Sequence, residues 1–133
     1  MADEEAKAAE AAASGADTAP DTIFGRMARK EMPCDMVYED DLCMAFNDIA
    51  PQAPVHILLI PKERAGMTQI SKSDDANQAV LGHMMVKAGF LGKMHCPDGF
   101  RLVVNDGPQG CQSVYHLHIH ILGGKQLRWP PGC

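Results

Sequence analysis

One stretch of this chain alternates histidines with aliphatic residues. Residues 116–121 read His-Leu-His-Ile-His-Ile and are followed by Leu122 and two glycines. In a β-strand successive side chains point to opposite faces, so the three histidines would share one face and the three aliphatic residues the other. Such regular alternation predicts a strand, within 113–124, whose apolar face closes a core. The chain must therefore build a sheet that carries His116, His118 and His120 on one side.

Length and charge restrict the class of protein. The 133 residues suit one domain with one core. Residues 1–21 hold six acids and one base, which accounts for the whole net charge of −5, so the rest of the chain is neutral. A neutral body lacks the broad basic field that grips extended nucleic acid, although local donors can hold a small phosphate ligand.

Compartment is predicted from what the sequence lacks. It has no apolar run near the roughly 20 residues that a membrane span needs, and its start is not typical of a secretory signal. Its five cysteines are odd in number and form no CxxC pair. We therefore expect reduced thiols and a cytoplasmic location, with the nucleus also open.

The remaining chain predicts an α+β domain. We expect a flexible acidic tail over 1–20, and a domain over 21–133 that ends in an extended C-terminal loop. Ser73 is the expected cap of the long helix. The order and the hairpin signal at Asp40 and Asp41 predict an antiparallel sheet with helices on one face. The predicted helices cover 22–30 and 74–93, and the predicted strands cover 34–39, 42–47, 55–60, 100–105 and the histidine stretch.

Spacing weighs against a metal shared by all three histidines. On a straight strand the Cα atoms of His116 and His120 lie about 13 Å apart, too far for one ion with nitrogen ligands at about 2 Å. A zinc site would need His56 or a cysteine to join two of them. We expect neither a metal nor another cofactor. A merely solvent-facing row of histidines is the alternative without chemistry.

Phosphoryl chemistry fits the pattern without a metal. A neutral imidazole is a competent nucleophile near pH 7, and neighbouring imidazoles and backbone N–H groups stabilise charge on phosphate oxygens. His118 lies in the middle, between His116 and His120. The preceding glycine-rich loop, 110–113, offers N–H donors and the Ser113 hydroxyl.

These residues resemble the histidine triad (HIT) family. HLHIHIL fits the family signature of three histidines separated by apolar residues. Further segments are similar to its nucleotide-binding Hint branch, and together they span about residues 21–132. They are DTIFG (21–25), AFNDIAPQAPVH (45–56), IPK (60–62), VVNDG (103–107) and QSVYHLHIHILGGKQLRWPPG (112–132).

The resemblance implies a fold and an activity. It implies a five-stranded antiparallel sheet with two helices, and a homodimer whose sheets join into ten strands, with helix 74–93 at the interface. It also implies hydrolysis of purine nucleoside phosphoramidates through a nucleotidyl-histidine. An interaction module with incidental turnover, a dinucleoside polyphosphate hydrolase and a metal-dependent hydrolase remain open.

The resemblance also assigns roles by position. His118 matches the nucleophile, His116 and His120 its flanking histidines, and His56 a supporting fourth histidine. Ser113 and Asn105 match residues on the phosphate or leaving group, and Asp48 the carboxylate on the ribose. Trp129 matches a residue that approaches the partner subunit's site. The remaining nucleotide-binding candidates are Ile23, Phe24, Met27, Phe46, Asn47, Ile49, Leu58 and Val114, of which Met27 and Asn47 depart from common family residues.

Overall fold

A single antiparallel sheet forms the centre of the molecule. The structure, a computed structural model, describes residues 17–132, so most of the predicted acidic tail and Cys133 lie outside the described residues. The strands are β1 (Met36–Glu39), β2 (Cys43–Asn47), β3 (Val55–Pro61), β4 (Phe100–Val103) and β5 (Ile119–Gly123). Their order in the sheet is β1-β2-β3-β5-β4, with every neighbouring pair antiparallel. The predicted five-stranded α+β architecture is confirmed.

The two helices cover opposite faces of the sheet, not one face as expected. Helix α2 (Gln78–His95) packs with Met84, Ala88 and Leu91 on the face that carries Ala45 and Leu59. Helix α1 (Ile23–Ala28) covers the other face through Phe24 and Met27. Strands β2 and β3 are buried almost throughout, because residues on both of their faces are apolar. Burying both faces requires a helix on each side.

The helix boundaries differ from the predicted ranges. Thr22 caps α1, its hydroxyl accepting from the Gly25 N–H at 3.3 Å, and the helix ends before Lys30, which has φ 64°. Ser73 does not cap α2. Asp74 instead closes a capping box with Asn77 over a short 3-10 turn, and α2 follows at Gln78. Asp74 thus caps the 3-10 turn that precedes α2, in place of the serine that the sequence had assigned to the helix.

The histidine stretch is only partly a strand. Strand β5 begins at Ile119, so His116 and His118 precede it in an irregular segment. There the Leu117 N–H donates to the Met67 carbonyl at 2.9 Å and leaves the β3 ladder. The straight-strand prediction was wrong for these residues, and so is the solvent-facing alternative, because His116 and His118 are 2% and 5% exposed.

Residues 17–20, assigned to the tail by sequence, lie against the body. Asp17 forms an ion pair with Arg64 at 2.9 Å and accepts from the Gly66 N–H at 2.9 Å. Ala19 is 9% exposed. An arginine 47 residues away holds this segment, a contact that local composition does not encode.

Candidate functional site

Four histidines gather on the face of the sheet beneath α1. His56 and His120 lie on β3 and β5 as diagonal neighbours, because His120 is paired with Leu58. The ring of His118 lies 5.0 Å from that of His120, and the rings of His56 and His120 are 5.2 Å apart. The edge of Phe24 approaches His118, with centroids 5.0 Å apart. The structure therefore brings the predicted nucleophile, its flanking histidines and the fourth histidine into one cluster.

The backbone sets the tautomer of His118. Its Nδ1 lies 2.8 Å from the carbonyl oxygen of His116. A carbonyl only accepts, so Nδ1 carries the proton and donates it, and in the neutral ring Nε2 keeps its lone pair. His116 is held the other way, with its Nε2–H donating to the Pro61 carbonyl at 2.8 Å. Of the two, only His118 presents an unprotonated Nε2.

His56 and His120 form a directed hydrogen-bond chain. The Gln52 N–H donates to Nδ1 of His56 at 3.0 Å, so the proton of neutral His56 lies on Nε2. That Nε2–H donates to Nδ1 of His120 at 2.9 Å, and the proton of neutral His120 therefore lies on its own Nε2. This last nitrogen is buried and has no hydrogen-bond partner among residues 17–132. A buried donor without a partner is costly, and a bound anion would satisfy it.

Burial keeps the triad neutral. Desolvation lowers the pKa of His116 to about 4 and that of His120 to about 4, and it also lowers the pKa of His118. At neutral pH all three rings are uncharged, which suits a nucleophile and a hydrogen-bond donor.

Gln112 holds the loop that leads into the histidines. This residue is 4% exposed, and its amide oxygen accepts from the Gly107 N–H at 3.0 Å. Its amide nitrogen donates to the carbonyls of Thr68 and Val114, at 2.7 and 3.0 Å. The side chain thus shapes the turn that carries Ser113, which is exposed. Sequence analysis missed Gln112, although it stands first in the QSVYH motif.

Asp48 directly follows β2, and Asn105 lies two residues after β4. The Asp48 carboxylate accepts from the Ala50 N–H at 2.8 Å through Oδ1, while Oδ2 lies 3.4 Å from Nε2 of His56. Asn105 is partly buried, and its amide donates to the Cys111 carbonyl at 3.4 Å. Asp48 therefore borders the histidine chain directly, whereas Asn105 borders the glycine-rich loop.

The candidate residues of the base pocket divide into two groups. One group is a buried apolar cluster next to His118, made of Phe24, Met27, Phe46 and Leu58, with Val114 packed against it. The other group is more exposed: Ile23 is 38% exposed, Ile49 94% and Trp129 82%, and Asn47 donates through Nδ2 to Asp35 at 2.9 Å. The structure brings the first group together and leaves these four at the margin or beyond it.

Two sets of side chains could offer metal ligands in the described part of the chain. They are Asp40–Cys43–His83 and Asp48–His56–His120. In the first set Asp40 already accepts from Tyr38, Leu42, Cys43 and His83, and burial raises the pKa of the Cys43 thiol to about 12. In the second set the facing nitrogens of the two histidines share a proton. Hydrogen bonds account for both sets, so a metal does not fit without displacing them.

The antiparallel α+β sheet and its buried histidine cluster agree with the resemblance to the histidine triad class. The model of the HIT domain matches residues 29–127, and the chain belongs to this family. Its curated relatives also include Hint-branch proteins, as the motifs predicted.

The relatives match almost the whole described chain. A "14 kDa zinc-binding protein" of Brassica juncea is 55% identical over 113 residues, covering 84% of this chain and all of the relative. The "Adenylylsulfatase HINT1" of Arabidopsis thaliana is 50% identical over 92% of this chain and 84% of the relative. The structure of a HIT family hydrolase from Legionella pneumophila superposes with a TM-score of 0.80 at 39% identity, covering 84% of this chain and 100% of that one.

Proposed function

We propose that this protein hydrolyses purine nucleoside phosphoramidates through a nucleotidyl intermediate on His118. The observation that carries the proposal is the pair formed by an unprotonated His118 Nε2 and a buried, unpartnered Nε2–H on His120. One group can attack phosphorus while its neighbour donates a proton. Membership of a family with solved members described as hydrolases supports this assignment.

The first step forms one bond and breaks one. His118 Nε2 bonds to the α-phosphorus as the P–N bond breaks, and the leaving nitrogen takes the proton from His120 Nε2. The proton between His56 and His120 then shifts towards His120. The negative charge left on this histidine pair faces the positive charge on nucleotidylated His118, which offsets it.

Water completes the cycle. Its oxygen bonds to phosphorus, one of its protons restores the His56–His120 pair, and His118 leaves as a neutral imidazole. The product is the nucleoside monophosphate. N–H groups of the loop 107–113 and the Ser113 hydroxyl would hold the phosphate oxygens, with Asn105 beside them.

The nucleoside would bind beside the triad. The cluster of Phe24, Met27, Phe46 and Leu58 offers an apolar surface for the base next to His118. The two oxygens of Asp48 suit the ribose diol, with Oδ2 within reach of His56. We infer that Ile23, Asn47, Ile49 and Val114 border this space once the nucleotide is bound.

A second substrate class has a specific observation in its favour. The Arabidopsis relative is named an adenylylsulfatase. Adenylyl sulfate presents the same α-phosphorus with sulfate as the leaving group, so the same nucleotidyl-histidine would form. Sulfate needs less protonation than an amine, so His120 should matter less for this substrate.

Turnover by matched variants tests the proposal. The wild type, His118→Ala and the control His95→Ala, an exposed histidine at the end of α2, would be given adenosine phosphoramidate, adenylyl sulfate and diadenosine tetraphosphate. We expect the phosphoramidate to be hydrolysed fastest by the wild type and the control. We expect no turnover by His118→Ala, with binding of the monophosphate retained. Mass spectrometry should find a nucleotidyl adduct only where His118 is present.

Each alternative predicts a different result. Equal rates for wild type and His118→Ala would contradict the enzyme mechanism and leave a nucleotide-binding interaction module. Faster turnover of the dinucleotide would indicate a polyphosphate hydrolase. Loss of activity with a chelator would indicate a metal-dependent hydrolase. We expect chelators to have no effect, because the mechanism above uses side chains alone.

We further propose a homodimer. Helix α2 leaves Val86, Phe90 and Met94 at least half exposed at four-residue spacing along one face, and Met85 is also 54% exposed. On the same face Gly82 and Gly89 would admit a Cβ without contacting anything within 4 Å. The neighbouring strand β4 is a sheet edge. Two copies joined along this face and edge would bury the apolar stripe and give the ten-stranded sheet that the family resemblance implies, with Trp129 carried towards the partner.

The proposed location is the cytoplasm or nucleus. The cysteines of the described part, Cys34, Cys43, Cys96 and Cys111, are free thiols, which suits a reducing compartment. Within residues 17–132, no helix combines the length and hydropathy that crossing a bilayer requires.

A further inference from the structure

Arg64 has partners on two other segments of the chain, residues 17–20 and Tyr115. Its Nε donates to Asp17 at 3.1 Å, and its Nη2 reaches Asp17 at 2.9 Å and the Ala19 carbonyl at 2.8 Å. Its Nη1 donates to the carbonyls of Pro20 at 3.0 Å and Tyr115 at 3.2 Å. All three nitrogens of the guanidinium therefore donate at least one hydrogen bond. The side chain is only 14% exposed.

The partners of Arg64 lie close in sequence to the reacting histidine and its cover. Tyr115 precedes His116, whose carbonyl sets the tautomer of His118. Pro20 lies four residues before Phe24, whose ring edge packs on His118. The turn that carries Arg64 follows β3, and the carbonyl of Pro61 at its start accepts from the ring of His116. One turn therefore grips both the N-terminal segment 17–20 and the bend that presents the histidines.

We propose that Arg64 is a positioning residue for the transfer reaction, which clamps segment 17–20 and the Tyr115 carbonyl so that His118 keeps its tautomer and its contact with Phe24. The kinetic part of this inference rests on the proposed function; the structural part does not. Arg64 does not touch the reacting atoms and acts through His116 and Phe24. Small displacements of a nucleophile are enough to slow a reaction strongly.

Because the guanidinium is a planar fork of donors, a lysine variant can separate the effect of charge from that of hydrogen-bond geometry. Arg64→Lys keeps the charge but offers three donors from one point, so it cannot reproduce the fork that reaches both segment 17–20 and Tyr115. Arg64→Gln removes the charge as well, and Asp17→Asn weakens the clamp from the other side. The control is Arg29→Gln, which removes an arginine that pairs with Asp21 and Glu31 at the half-exposed end of α1.

Substitution of Arg64 in the full chain should change both kcat and the NMR resonances of His118. We expect kcat with adenosine phosphoramidate to fall about tenfold in Arg64→Lys and Arg64→Gln, with KM changing less, and to be unchanged in Arg29→Gln. The imidazole ¹⁵N resonances of His118 should show a single Nδ1–H tautomer in the wild type and a mixture in both Arg64 variants. Asp17→Asn should act in the same direction and less than additively with Arg64→Gln, since both changes break one clamp.

The possible outcomes distinguish three cases: a positioning role of Arg64, failure of the proposed function, and simple loss of folding stability. Unchanged His118 resonances and kcat in a folded Arg64→Lys protein would overturn the inference. Full rescue of kcat by lysine would also overturn it, because charge alone would then suffice. If Arg64→Gln fails to fold, Arg64→Lys and Asp17→Asn carry the test. If the wild type does not turn over the phosphoramidate, the proposed function fails while the tautomer comparison still tests the clamp.

Discussion

Burial, rather than residue identity alone, determines how the histidines behave. Each of the triad rings has a lowered pKa whose largest cause is desolvation. Hydrogen bonds to backbone carbonyls then decide which nitrogen carries the proton in His116 and His118. The same type of side chain therefore donates through Nε2 at one position and keeps an unprotonated Nε2 two residues later.

The lowered pKa of His116 makes stability depend on pH. Between about pH 6.5 and about pH 4 the unfolded chain binds a proton at this position and the folded chain does not. The free energy of unfolding should therefore fall as pH falls through this window, by up to about 1.4 kcal/mol per pH unit for one histidine. Urea unfolding at several pH values measures it. His116→Gln should reduce the slope, and an unchanged slope would contradict this assignment.

His56 should matter for rate more than for binding. His56 accepts a hydrogen bond from the Gln52 N–H and donates its own N–H to His120. Without His56, His120 would lose its proton source and the hydrogen bond that fixes its tautomer. We expect His56→Gln to lower kcat about 100-fold with a small change in KM. His83→Gln is the matched control, since His83 bonds to Asp40 and is not part of the cluster. Equal effects of the two changes would contradict the directed chain.

At the level of elements, the end of β5 meets the end of α2 closely. A Cβ built on Gly123 would lie 2.5 Å from the Cys96 Sγ, 2.9 Å from its Cβ and 3.2 Å from the Gly99 carbonyl. Cys96 caps α2 and is buried. The absence of a side chain at Gly123 thus lets the helix end pack on the strand that carries His120.

Gly123→Ala should destabilise the fold. The added methyl would meet a buried side chain and backbone, so we expect a loss of about 1–3 kcal/mol in the free energy of unfolding. Gly110→Ala is the control, because its nearest contact would be an ordinary 3.8 Å and its φ is not positive. Urea denaturation of both variants gives the comparison. Equal free energies of unfolding for the two variants would show that Cys96 moves aside without loss of stability.

At the scale of the whole molecule, the outward face of α2 leaves large apolar side chains exposed in a single copy of the chain. Phe90 is 50% exposed and Val86 68%, one helical turn apart, and they lie beside glycines that permit close approach. An apolar stripe of this kind on a surface helix is typical of an interface between subunits.

A charge on this face should separate the proposed dimer. We expect sedimentation to give a dimer for the wild type and a monomer for Val86→Asp, because a buried carboxylate without a partner opposes association. Ile70→Asp is the control, an exposed apolar residue in a short 3-10 turn outside α2. Monomeric wild type, or dimeric Val86→Asp, would contradict the proposed interface.

The sequence by itself determined the features that depend on local pattern. Alternation in 116–121 predicted apolar and histidine faces, the turn and cap residues bounded the elements to within a few positions, and the motifs identified the family. These signals are local because each depends on residues a few positions apart. The tertiary structure decided that His116 and His118 leave the strand, and that His56 reaches His120. It also decided that Arg64 holds segment 17–20. Backbone carbonyls and long-range contacts make these choices, and every residue has a carbonyl, so no sequence pattern marks the ones that matter.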